Sequence, residues 1–169
     1  MANNTLDKVT LRNYEITFKN FSGRENQYNR SGNRNFALVL DDETADQMIA
    51  DGWNVRVKEY DDGSRRNTLT VAVRFDIDRF RPTVVMVTPN GKYFKRRPIN
   101  EDTVGELDAA RVASAYVTLN PAPWRNAMGN SGIKAYLTTG YFLIEKDEFE
   151  DEFPEEPSDE ELHEEATPF

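Results

Sequence analysis

Four short stretches of this chain set aromatic rings beside cationic side chains. Tyr28, Arg30 and Arg34 fall in and just after a polar segment, Gly23–Asn33. Tyr93 and Phe94 run directly into Lys95, Arg96 and Arg97. Trp124 adjoins Arg125 among Pro, Asn and Gly, and Lys134, Tyr136 and Thr138 alternate with Ile133, Ala135 and Leu137. A ring offers a π face on which a flat heterocycle stacks, and a nearby cation neutralises a phosphate. Together they suit a flexible polymer of bases and phosphates. Each stretch also has a plainer structural reading. A strand would bury one of Tyr93 and Phe94, Trp124 could cap the end of a barrel, and Tyr136 could be a cross-strand packing residue.

Covalent chemistry has little equipment here. There is no cysteine, and the single histidine is His163, so disulfides, thiolate zinc and His-based nucleophilic catalysis are disfavoured. No glycine pattern fits a phosphate-cradling loop. Asp76 and Asp78, with Glu101 and Asp102, are the one arrangement that could hold magnesium for a nuclease, but they have no basic partner at a defined spacing. Neither a cofactor nor a metal is expected.

Charge is strongly segregated. Residues 145–169 hold thirteen Asp/Glu against Lys146 alone, a net of −12, whereas residues 1–144 hold 20 Lys/Arg against 17 Asp/Glu, a net of +3. An acidic segment on a mildly basic body reads as an interaction tail. It ends Glu164-Glu165-Ala166-Thr167-Pro168-Phe169. The terminal aromatic suits an apolar pocket on a partner, with its carboxylate and the acids before it facing Arg/Lys. The organisation expected is therefore a domain over 1–144 and a disordered acidic tail over 145–169.

The elements that must position these residues read mainly as strands. Tyr14, Ile16 and Phe18 alternate with polar residues, while Val9 and Leu11 have the opposite parity, so a bulge or break near Arg12-Asn13 is expected. Residues 36–40 form an apolar strand. Asp41 to Thr44 opens a short helix with Ala45, Met48 and Ile49 inward and Gly52 as its stop. Trp53–Val57 and Leu69–Phe75 pair across a turn at Asp61–Ser64. Val84–Val87 reads as a central strand, and Val104 and Leu107 as the inner side of one helical turn. Ala113–Leu119 is a strand, Asn120–Gly132 a loop, and Ile133–Ile144 a long closing strand bent at Gly140. Phe18, Phe36, Trp53 and Phe75 lie on apolar stripes and read as core. Arg56, Lys58, Arg65, Arg66 and Arg74 read as a solvated hairpin face. The fold expected is mainly β: an OB-like antiparallel barrel with added strands and one or two short helices.

The tail resembles that of bacterial and phage single-stranded DNA-binding proteins: Pro168 and Phe169 match its tip, and Glu164 and Glu165 keep its charge. The body is similar to phage single-stranded DNA-binding proteins of actinobacterial viruses. The likeness lies in Ile16–Gly23, Gly32–Phe36, Asp51–Val55 and Ser131–Leu137. It implies an OB-like fold and sequence-tolerant binding of single strands in phage DNA replication or recombination, in the bacterial host cytoplasm. The tail would dock replication or recombination proteins, and homo-oligomers are compatible with it. Two rivals are an acidic DNA mimic that inhibits a host DNA-binding protein, and a metal-dependent nuclease.

Overall fold

The computed structural model describes residues 7–27, 29–76, 81–145, 149 and 152. Among them nine strands and two helices follow in order. These are β1 (Val9–Tyr14), β2 (Ile16–Asn20), β3 (Arg34–Leu40), α1 (Asp42–Ala50), β4 (Val55–Glu59) and β5 (Arg65–Val73). Then come β6 (Thr83–Asn90), β7 (Tyr93–Ile99), α2 (Glu106–Ala109), β8 (Val112–Arg125) and β9 (Ser131–Ile144).

One sheet, in the order β1-β8-β9-β5-β3-β2, curls into an OB-like barrel. Its two ends are a single bent strand. Only Glu15 separates β1 from β2, and Asn13 takes a left-handed φ of 65° at the break. β1 pairs with β8 and β2 with β3, while the Glu15 carbonyl accepts from Val39 N at 2.9 Å. The parity switch at Arg12-Asn13 is thus the corner that closes the barrel. Closure brings in two parallel contacts. β9 pairs β5 at Val71↔Ala135 and Ala72↔Tyr136, then pairs β6 from Thr83↔Thr139 to Val87↔Leu143.

The core is the inward parity of these strands. Phe21, Phe36 and Phe142, all fully buried, meet with ring centroids 5.1–5.4 Å apart. They join β3, β9 and the chain just after β2 through stacked and edge-on contacts. Gly140 permits this: a Cβ there would come 2.7 Å from the Phe142 ring. α1 starts where Asp41 Oδ2 accepts from Thr44 N at 3.0 Å, and that bond holds the Asp41 carboxyl below its ordinary pKa. The helix buries Ala45 and Met48, whereas Ile49 is exposed. Val104 and Leu107 are fully buried, as their spacing predicts.

One boundary and one further burial differ from expectation. Asn120–Arg125 is strand rather than loop: β8 and β9 stay paired as a ribbon from Asn120↔Tyr136 to Arg125↔Ser131. Pro121 and Pro123 are tolerated because β1 pairs β8 only as far as Val9↔Leu119, so among the described residues β8 beyond that point has a free edge needing no N–H. Phe18 is not core. It is 73% exposed, as the bulge described below dictates.

Candidate nucleic-acid interface

Register places side chains from five strands side by side on the outer face of the barrel. Asn20, Asn35, Ala72, Tyr136 and Asn120 form one row across β2, β3, β5, β9 and β8. Thr17, Ala37 and Thr70 form the next row on β2, β3 and β5. The middle of this face is low: its residues are Ala37, Thr70 and Ala72, whose partners in sequence (Phe36, Leu69, Val71) point into the core.

Aromatic and basic side chains border that floor on the β8–β9 side. Lys134 is exposed, shares the outward parity of Tyr136, and carries its ammonium 5.3 Å from the Tyr136 ring. Arg74 holds Asp76 through two hydrogen bonds of 2.8 and 2.7 Å. Its guanidinium pKa is raised, chiefly by the Asp76 bond, with the Tyr136 hydroxyl adding to it. The same pairing depresses the Asp76 carboxyl to about 2. Trp124, 39% exposed, stands opposite Gly132 on the ribbon. A Cβ on Gly132 would sit 2.1 Å from Asn54 Oδ1 and 3.1 Å from Trp124 Nε1, so the missing side chain makes room chiefly for Asn54 and lets the indole edge come close to β9. Beside it opens a recess of about 550 Å³ bordered by Pro123, Arg125 and Ser131. Trp124 has strand neighbours and an open flank.

The loop between β2 and β3 borders the same face at its other end. Asn29 organises it. The Asn29 amide nitrogen donates to the carbonyls of Arg24, Arg30 and Asn33 at 2.9, 3.1 and 2.9 Å. Its oxygen accepts from Asn35 Nδ2 at 3.1 Å, which docks the loop on the outer row. Arg30 is exposed on this loop; Tyr28 lies outside the described residues. Arg34 has the inward parity of Phe36. Its guanidinium lies 5.9 Å from the Phe75 ring and donates to the Glu101 carbonyl, so it sits at the barrel end and not on the outer face.

The second basic cluster lies elsewhere. β6 and β7 form a hairpin turning at Gly91-Lys92, and β6 runs three residues past its last partner on β9. Tyr93 is 76% and Phe94 61% exposed, so neither is buried. Phe94 and Arg96 share one side and Tyr93, Lys95 and Arg97 the other, with Arg97 bonded to Glu106.

Three of the five cations read from sequence as a solvated hairpin face share the outward parity of this floor. Arg56 pairs with Thr68 and Lys58 with Arg66, so Arg56, Lys58 and Arg66 extend the outward parity of Thr70. The signal was the strict alternation of β5, which assigns Thr68, Thr70 and Ala72 to one face. Arg65 is committed to α1, bonding Asp42 at 3.2 Å and Asp46 at 2.7 Å. No acidic cluster fit for a metal occurs among the described residues, and Arg74 occupies Asp76; Asp78 lies outside them. No helix there is long and apolar enough to cross a membrane. The docking residues Glu164, Glu165, Pro168 and Phe169 also lie outside the described residues.

Comparison with known proteins bears on the family and the fold. The chain matches, over residues 1–166, the family described as "Putative phage ssDNA-binding domain". Among solved structures it is similar to the single-stranded DNA-binding protein of bacteriophage Enc34. The C-terminally truncated form is 11% identical at a TM-score of 0.52, covering 83% of this chain and 87% of that one. The longer form is 10% identical at the same TM-score, covering 92% and 89%. That likeness is one of fold. No curated protein sequence matches the chain. By its match over nearly the whole sequence, the chain belongs to the phage single-stranded DNA-binding family, a family of DNA binders rather than enzymes.

Proposed function

We propose that the single strand lies across the outer face of the barrel, over the small-residue floor of β3 and β5. Bases stack on Trp124 and Tyr136. Lys134, Arg30 and Arg56 meet phosphates, whereas Arg125, paired with Ser131, has the opposite parity to Trp124 and lies at the end of the ribbon. The observation that carries this reading is the cross-strand row from Asn20 to Tyr136: a low floor bordered by rings and cations that one register brings together. Ring faces and phosphate charges are common to every nucleotide, so binding is sequence-tolerant. Tyr93, Phe94, Lys95, Arg96 and Arg97 make a second, outlying contact region. Within this reading residues 1–144 are the DNA-binding domain and 145–169 the tail, acting in phage DNA replication or recombination in the host cytoplasm. Glu164, Glu165, Pro168 and Phe169 dock partner proteins, and the tail's −12 charge competes with DNA for the +3 body.

Titrating fluorescent oligo-dT and a duplex of equal length over a salt series tests it. Single strands bind more tightly, with a salt slope of about −0.7 per phosphate neutralised. Truncation after Ile144 tightens low-salt binding and has less effect at high salt, because the competition is screened. Duplex binding equal to single-strand binding at every salt concentration would refute the reading.

A further inference from the structure

Phe18 is a bulky aromatic held where a glycine is expected. Between Thr17↔Ala37 and Asn20↔Asn35, β2 spends two residues, Phe18 and Lys19, against the single Phe36 of β3. This is a bulge, and its first residue has a φ of 50°. Glycine is the usual occupant of a left-handed bulge position, because a Cβ there crowds the backbone. Moreover the ring gains little burial in return, being 73% exposed. Folding alone therefore gives no reason for phenylalanine at this position.

The surroundings force the strain to persist. Lys19 Nζ donates to the carbonyls of Leu107 and Ala110 at 3.0 and 2.5 Å. The Asp108 carboxylate accepts from Phe21 N, Ser22 N and Ser22 Oγ at 2.7, 2.9 and 2.7 Å. α2 and the residue after it thus grip β2 on both sides of Asn20. Strained residues that a fold over-determines in this way gather at functional sites. Phe18 also lies between Thr17 and Asn20, the β2 ends of the two outward rows. Tyr136 is three strands away, about 14 Å along the sheet, with Ala37, Thr70 and Ala72 between.

We infer that Phe18 is a base-stacking residue, the wall of the groove opposite Trp124 and Tyr136, aimed outward by its bulge. This rests on the reading that the outer face holds single-stranded DNA. The test is oligo-dT affinity, melting temperature and sedimentation of the full chain for Phe18→Gly, Phe18→Leu, Phe18→Tyr and Trp124→Ala. Phe18→Gly removes the ring and relieves the backbone. The expected result is a loss of affinity of about 5- to 150-fold, the range of one lost stack, with a melting temperature unchanged or higher. Phe18→Leu loses affinity similarly, since it keeps apolar bulk without a π face, and Phe18→Tyr retains it. If Phe18→Gly binds like the wild type while Trp124→Ala is impaired, the Phe18 assignment fails and the outer-face reading stands. If both bind like the wild type, both fail. A lower melting temperature with unchanged affinity would make Phe18 a packing residue. A fall in sedimenting mass without DNA would make it a contact between copies. Either overturns the inference.

Discussion

The outer face of the barrel and the tip of the β6–β7 hairpin hold the same kinds of residue and differ in what their backbones allow. On β9, Lys134 and Tyr136 are two apart, so they share a face, and the opposite residues Ile133, Ala135 and Leu137 are buried against the core. On β7, Tyr93 and Phe94 are adjacent and point to opposite sides of a hairpin that extends beyond the barrel. Five consecutive aromatic and basic residues look richer in sequence than Lys134-Ala135-Tyr136. A strand nevertheless divides them, and Arg97 is already engaged by Glu106. Density of suitable residues along a strand counts for less than their parity, because only one face can meet a ligand at a time.

The widest separation between the two regions is expected from their rings. Trp124→Ala removes a stack supported by Gly132 and the ribbon, and should weaken oligo-dT binding by about 1–3 kcal/mol, with little change in melting temperature. Phe94→Ala should cost less. Fluorescence titration of the two variants side by side checks this, and an equal or larger loss for Phe94→Ala would break the comparison. Charge gives a smaller contrast. Lys134→Ala should weaken binding several-fold and reduce the magnitude of the salt slope by about 0.7, the single-strand share of one phosphate. Arg97→Ala should leave the slope unchanged, since its guanidinium is held by Glu106.

The smallest effect is on pH dependence. Asp76 has a folded pKa depressed to about 2 by Arg74. Its contribution is therefore present above the unfolded carboxylate pKa of about 3.9 and is lost as pH falls from there through about 2. The pair is exposed, so the loss in stability should be slight. Melting scans of the wild type and Asp76→Asn should coincide near pH 2 and separate modestly above pH 5.

The barrel was legible in the sequence where one physical rule dominated. Alternation in Leu69–Val73 and Ile133–Leu137, the Asp41 cap and the parity switch before Tyr14 each had a single reading. The strand expected at Val84–Val87 likewise pairs on both sides, with β7 and β9. Phe18 was misjudged because Ile16 and Phe18 extend one stripe. Yet Phe21, at the opposite parity, is the ring that the core takes. A strand without a bulge cannot bury both, and the sequence does not say which yields. Asn120–Arg125 was obscured by its two prolines, whose tolerance depends on where β1 stops pairing. Arg34 looked like a loop cation, but its pairing with Val73 turns it to the barrel end. The floor of Ala37, Thr70 and Ala72 was invisible because small residues form a groove only once neighbouring strands are in register.

The central claim is that the single strand crosses the outer face, and backbone amide shifts on titration with oligo-dT test it most directly. The account predicts the largest changes at Thr17–Asn20, Asn35–Ala37, Thr70–Ala72, Trp124 and Lys134–Tyr136, with smaller ones along Tyr93–Arg97. Changes confined to the β6–β7 hairpin, with the outer rows unmoved at saturation, would contradict it.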